Sequence, residues 1–289
     1  MNLKKFHPKN MEARRIDPNK GPPTIVIIGG RGTGKTYLVR DLMYYFRRIP
    51  AGMIITGSEA SSEIFSEFFP KSFIFDDIDL NRIENIVTNQ RTLRKKKVEG
   101  DYSSLLLFDD CGFDKAMIKK KIIKGIFMNG RNWRILLIMT LQYAKDIPPD
   151  LRSNADYVFI LREPIIEARK KIWKEYAGII PTFEAFNEAM NVCTEDRGAL
   201  VIDKTSISNK IEDNVFWYRA STPPKKYKVG SKELWNFHRE NYKSDNEEEN
   251  NNNDIVLHKK VNVIKLKKKK KKKPQENVKT NSQEKKVLL

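Results

Sequence analysis

Short apolar runs alternate along the chain with longer segments whose apolar residues recur every three or four positions. The runs fall at 24–28, 53–56, 72–75, 105–108, 134–141 and 157–161. Two of them, Leu105-Leu106-Leu107-Phe108 and the RILLIMTL of 134–141, have almost no polar position. Such a run suits a strand covered on both faces in a parallel sheet. Between the runs, helical spacing predicts helices at about 35–48, 62–69, 79–97, 115–129, 164–177 and 182–192. In the third, Leu80, Ile83, Ile86, Val87 and Leu93 share one face. A smaller strand set at 199–202 and 214–219 and a helix at 232–241 follow. Strands alternating with helices predict an α/β fold, three-layered, with a mainly parallel central sheet.

Chemistry enters at the end of the first run. Residues 29–36 read GGRGTGKT and match the phosphate-loop pattern at Gly29, Gly34, Lys35 and Thr36. The glycines, with Gly30, Arg31, Gly32 and Thr33 between the fixed positions, let backbone N–H groups curl around phosphates ahead of a helix N-terminus. Lys35 can reach the outer phosphates and Thr36 can ligate a magnesium ion, so ATP and Mg2+ are the expected ligands. Arg31 is read as a loop-tip contact.

The run at 105–108 ends in Asp109 and Asp110. An acid at a strand's C-terminal edge lies where α/β sheets bind ligands, so Asp109 is the expected magnesium carboxylate. Asp110 is the expected general base. The stretch between the two loops has room for an inserted strand, the additional-strand arrangement. The next strand closes on Thr140-Leu141-Gln142, with Gln142 the first choice for a γ-phosphate sensor and Thr140 the second. A transferring phosphoryl group is stabilised by an arginine, often from a neighbouring subunit; Arg131 is the preferred finger and Arg152 the alternative.

Composition adds a polymer. The chain has 289 residues, a formal charge of +18 and a sequence pI near 9.7. That balance points to a polyanionic partner, nucleic acid first. Arg94-Lys95-Lys96-Lys97 is a candidate DNA contact, as is the lysine run at 119–121. Cys111 and Cys193 have no metal-ligand spacing and read as reduced, buried residues, and the three histidines are scattered. No run approaches a membrane span, and the basic start lacks the apolar core of a secretory signal, so an intracellular protein is expected.

These features divide the chain into a loose basic arm at 1–20, a nucleotide-binding domain at 21–222, a short extension at 223–243 and a tail at 244–289. The tail opens on an acidic, Asn-rich stretch and ends with seven consecutive lysines, 267–273; like charge in such a block is expected to prevent packing.

Taken together, GGRGTGKT, LLLFDD, GRNWRILLIMTLQ, PPDLRSNADYVFIL and DNVFWYRA resemble the DNA-packaging ATPases of nucleocytoplasmic large DNA viruses, the poxvirus and mimivirus type, in the FtsK–HerA superfamily. The resemblance covers about residues 22–220. It implies a RecA/FtsK-like fold, a ring of identical subunits, double-stranded DNA as the moved polymer, and capsid or portal components as partners. It also implies action in the host cytoplasm at the viral factory and in the virion. Lys35, Thr36, Asp109 and Gln142 inherit the phosphate, magnesium, Walker B and sensor roles. Many superfamily members carry Glu where this chain has Asp110. The competing readings are a nucleotide-independent DNA-condensing protein acting through its lysine tail, a GTPase, which lacks an N-K-x-D segment here, and a small-molecule kinase.

Overall fold

The computed structural model describes residues 3–111, 115–223 and 226–242. Its elements are β1 (Lys4–Lys5), α1 (Lys9–Ile16), β2 (Thr24–Ile28), α2 (Lys35–Tyr45), β3 (Ala51–Thr56), α3 (Glu59–Ser66) and β4 (Ile74–Phe75). Then come α4 (Leu80–Lys95), β5 (Ser104–Asp109), α5 (Lys115–Ile118), α6 (Lys121–Trp133), β6 (Ile135–Leu141), α7 (Pro149–Arg152) and β7 (Tyr157–Ile160). The described chain closes with α8 (Ile166–Tyr176), α9 (Phe183–Cys193), β8 (Gly198–Asp203), β9 (Val215–Arg219) and α10 (Lys232–Asn241).

The strands form one sheet in the order β1-β9-β8-β7-β2-β6-β5-β3-β4. β2 pairs parallel with both β6 and β7, and β5 pairs parallel with both β6 and β3. Only β8 runs against its neighbours. This is the α/β fold expected, and β6 is the inserted strand between β2, which leads into the phosphate loop, and β5, which ends in Asp109.

Side-chain alternation splits the core in two. Val26, Ile28, Leu106, Phe108, Leu137 and Met139 meet Ile83 and Val87 of α4, Ile123 and Ile126 of α6, and Ile172 and Phe186 of α8 and α9. Ile25, Ile27, Leu105, Leu107 and Ile138 face the other way, onto Met11 of α1, Leu38 and Leu42 of α2, Phe65 of α3 and Leu234 of α10. Each fully buried aliphatic side chain contributes roughly 1.5–3 kcal/mol of transfer free energy. The central strands read as continuous apolar runs because both faces are covered. Polar residues mark the helix starts: Ser58, Asp79, Thr182 and Ser231 each accept a backbone N–H of the first turn.

The loose N-terminal arm is corrected. β1 pairs with β9, Phe6 packs edge-on against Tyr157, Phe159 and Phe216, and Met11 is buried. Arg15 is 1% exposed and donates to Glu12, Asp101 and Ser103. Three anchors separated by basic residues make no apolar period, so the pattern alone read as a loop.

Other boundaries move by a few residues. The helix placed at 62–69 begins at Glu59, and the strand placed at 72–75 is a 3-10 turn followed by Ile74–Phe75. β6 starts after Arg134, whose left-handed φ of 59° ends α6. The extension after 222 packs on the domain: Tyr227 stacks on Phe68, and the Val229 N–H donates to the Phe68 carbonyl. The lysine tail lies outside the described residues. No helix among those described is long and apolar enough to cross a membrane.

Candidate active site at the ends of three strands

β2 delivers the chain into the glycine loop at the C-terminal edge of the sheet. The Gly29 N–H donates to the carbonyl of Leu141, the last residue of β6, tying the loop to the neighbouring strand (3.0 Å). Thr33 Oγ1 donates back to the Gly30 carbonyl (2.8 Å), and Gly34 enters α2 at φ 100°, a conformation that costs glycine least. Arg31 and Gly32 are exposed at the tip. Lys35 is 8% exposed and its ammonium donates to the carbonyls of Gly29 (2.8 Å) and Gly30 (3.1 Å). Burial lowers its pKa, and the charges of Asp110 and Asp109 oppose that shift.

Thr36 sits one residue into α2, facing β5. Its hydroxyl lies 3.5 Å from Asp109 Oδ2 and 3.3 Å from Ser61 Oγ. Asp109 is fully buried. Desolvation raises its pKa, hydrogen bonds from Thr140 and Ser61 pull it down, and Asp110 pushes it up again. Three hard oxygen groups (Thr36, Ser61 and Asp109) therefore converge beside the loop, a donor set that suits a small divalent cation keeping several of its waters.

Two residues of β6 and its exit organise the acid pair. Thr140 Oγ1 donates to Asp109 Oδ1 (2.9 Å) and accepts the Asp110 backbone N–H (2.9 Å). Gln142 Nε2 donates to Asp110 Oδ1 (2.5 Å). Asp110 itself adopts φ 48°, unusual for a residue with a side chain, at the point where the chain leaves β5. Gly57, beyond β3, has no room for a side chain, because a Cβ would lie 2.9 Å from the Asp110 carbonyl oxygen. Burial pushes the neighbouring Cys111 thiol up to about 12, so it stays protonated and donates to the Ile55 carbonyl.

The structure thus brings together Lys35, Thr36, Asp109, Asp110, Thr140 and Gln142. Ser61 joins them without having been anticipated. One serine of three in a polar SEASSE stretch carries no signal until α3 is seen to start beside the loop.

The two arginines chosen as fingers fall elsewhere. Arg131, at the end of α6, pairs with Asp156, which is 0% exposed on its side chain and also accepts the Thr24 N–H at the start of β2. That is the sheet edge opposite the phosphate loop. Arg152 is buried in α7, paired with Glu175 at 2.5 Å and donating to the Ala144 carbonyl. Within the subunit, then, each pairs with an acid of its own chain and neither reaches its own phosphate loop; Arg152 is buried and Arg131 half exposed.

The basic segments separate as well. Arg94, Lys95, Lys96 and Lys97 are exposed where α4 ends, near Tyr102 and Arg134, whose carbonyls accept from Gln90 of the same helix. That is again the edge away from the loop. Lys119, Lys120 and Lys121 are exposed at the start of α6.

No family model matches the chain. Among curated proteins, an uncharacterized protein of Acanthamoeba polyphaga mimivirus is 35% identical over 252 residues, covering 84% of this chain and 86% of its own length. The uncharacterized protein 075L of Invertebrate iridescent virus 6 is 40% identical over 217 residues, 73% of this chain and 82% of that protein. Among solved structures, the genome packaging NTPase B204 from Sulfolobus turreted icosahedral virus 2 in complex with AMPPCP superposes with a TM-score of 0.51 at 15% identity. The match covers 70% of this chain and 98% of B204, and it shows a shared fold. The chain belongs to the family of large-DNA-virus proteins that includes 075L and its mimivirus counterpart.

Proposed function

We propose that this protein is an ATP hydrolase that moves double-stranded DNA during packaging of a viral genome, in the manner of the FtsK–HerA motors. The observation that carries the reading is the continuous polar path from the phosphate loop to the acid pair: Thr36 to Asp109, Asp109 to Thr140, Thr140 to the Asp110 backbone, and Asp110 to Gln142. A phosphate loop alone binds nucleotide. Adding a buried carboxylate and a second, partly exposed one held by a glutamine supplies what hydrolysis needs.

In this reading the loop N–H groups and Lys35 hold the triphosphate. Thr36 and Asp109, with Ser61 beside them, would hold Mg2+, which when bound neutralises phosphate charge. Asp110 accepts the proton of the attacking water, and Gln142 fixes the carboxylate that does so. The basic surface supplies contacts to the DNA backbone, which are blind to sequence and weaken steeply with salt. The shared fold with a viral genome packaging NTPase supports the same direction, and so does membership in a large-DNA-virus family. The ring, the capsid partners and the host-cytoplasmic setting follow from this proposal.

The test is steady-state ATP hydrolysis by the full-length chain with and without linear double-stranded DNA, alongside particle imaging with ATPγS and DNA. Rings and DNA-stimulated turnover are the expected result. DNA binding without any hydrolysis, in every oligomeric state, would favour the condensing-protein alternative.

A further inference from the structure

Arg197 lies against the phosphate loop, although nothing in the loop motif anticipates it. A side chain placed on Gly34 would meet Arg197 Cβ at 3.6 Å and its Cγ and Cδ at 3.8 Å. The residue directly precedes β8, the antiparallel strand, whose first residue therefore sits at the same sheet edge as the loop. Its backbone is left-handed at φ 61°, immediately after Asp196 at φ 46°. Two consecutive non-glycine residues in that region persist only where the surroundings dictate them. Here they do. Gly198 next in line is packed so closely that a Cβ would fall 2.1 Å from the Cys193 carbonyl oxygen, and Arg219 reaches both the Glu195 carbonyl and the Asp196 carboxylate.

The turn thus holds an exposed arginine beside an anion-binding loop. Among the described residues Arg197 has no hydrogen bond or ion pair; the acid beside it, Asp196, faces Arg219 instead.

Its side of the loop is informative. Around β2 the sheet runs β8-β7-β2-β6-β5, so Asp109, Asp110 and Gln142 flank the loop on one side and Arg197 on the other. The acids mark where the terminal phosphate must lie for hydrolysis. A nucleotide extending from them across the start of α2 brings its nucleoside end toward Arg197 and toward Tyr37, whose hydroxyl is bonded to Thr222 (2.9 Å).

We infer that Arg197 binds the α-phosphate end of the nucleotide from within the same subunit, and so sets affinity for di- and triphosphates without acting on the transferred phosphoryl group. The inference rests on the proposed triphosphate site. An arginine in that place gives a charge-assisted contact present equally with ATP and ADP.

The test is calorimetric titration of the full-length protein with ATPγS and with ADP, for wild type, Arg197→Lys, Arg197→Ala and Arg197→Gly. Arg197→Ala and Arg197→Gly should weaken both nucleotides about tenfold or more, with Arg197→Lys between them and wild type. Turnover at saturating ATP should stay within about threefold, since uniform binding changes KM rather than kcat. Glycine suits φ 61°, so Arg197→Gly should melt no lower than wild type, separating lost binding from lost folding. Unchanged affinity in the glycine variant, or a large fall in kcat with ADP affinity intact, would overturn the inference. Wild type binding neither nucleotide would instead remove the site reading on which it stands.

Discussion

Thr140 Oγ1 lies 2.9 Å from Asp109 Oδ1 and gives a buried carboxylate a hydrogen bond that opposes the upward pull of desolvation on its pKa. The same oxygen accepts the Asp110 N–H, so one hydroxyl positions both acids. Thr140→Val keeps the shape and removes the hydroxyl. It should cost about 1–3 kcal/mol of stability, because Asp109 and the Asp110 N–H lose a buried partner. ATP turnover should fall at least about tenfold, and Thr140→Ser should restore most of both. Urea denaturation and steady-state hydrolysis measure the two effects; full activity in the valine variant would show that the acids need no such support.

Asp110 and Gln142 separate chemistry from binding. Asp110→Asn should reduce turnover by roughly 10²–10⁴ while leaving ATPγS affinity close to wild type, as expected for loss of a general base. Gln142→Ala frees the carboxylate held at 2.5 Å and should lower kcat more than it raises KM. An Asp110→Asn enzyme that turns over normally would move the base elsewhere.

How much of this site was legible in the chain depends on the scale of each signal. The phosphate loop and the strand-end acids are contiguous motifs, and their order alone gave the inserted strand. Ser61 and Arg197 reach the site through tertiary packing, from turns whose local sequence is ordinary. The arginines are the converse case. Arg131 and Arg152 sit in suggestive segments, yet what an arginine does is fixed by the carboxylate it meets, and Asp156 and Glu175 are distant in sequence or on another element. The N-terminal segment was misread because Phe6, Met11 and Arg15 are single anchors with no period between them.

The Arg131 finding is directly testable. Asp156 has no exposed side-chain surface and serves Arg131, Arg14 and the Thr24 N–H. Arg131 is half exposed, which limits what it contributes. Arg131→Ala should therefore lower the melting temperature modestly and leave hydrolysis per folded molecule within about twofold, far from the 10³–10⁵ loss that follows removal of a catalytic finger. A loss of that size at unchanged melting temperature would return Arg131 to the transition state.

Arg15 should matter more than any other residue of the segment first read as an arm. It is 1% exposed, pairs with Glu12 within α1 and ties that helix to Asp101 and Ser103, while its own carbonyl accepts from Arg134. Arg15→Ala leaves two partly buried acids unpaired and should cost on the order of 3 kcal/mol. Denaturant titration of the full chain checks it; a change below about 0.5 kcal/mol, the usual size for surface substitutions, would return 1–20 to the status of an arm.

Asp41 gives a pH dependence with a definite sign. It is fully buried in α2, accepts from the Tyr218 hydroxyl of β9 and from Ser221 Oγ (2.9 Å), and so locks the helix after the phosphate loop to β9 and the segment that follows it. Desolvation raises its pKa above the ordinary 3.8, and the hydrogen bonds from Tyr218 and Ser221 only partly offset that. Between 3.8 and the raised value the folded state binds more protons than the unfolded one. Its contribution to stability is therefore complete below the lower value and declines as pH rises through the window. Asp41→Asn cannot ionise and lacks that decline. The stability gap between wild type and variant, measured by urea denaturation, should narrow as pH rises from about 4 to about 7. A gap that widens over the same range would mean that the carboxylate is stabilised as the anion, with the Tyr218 and Ser221 hydroxyls outweighing its burial.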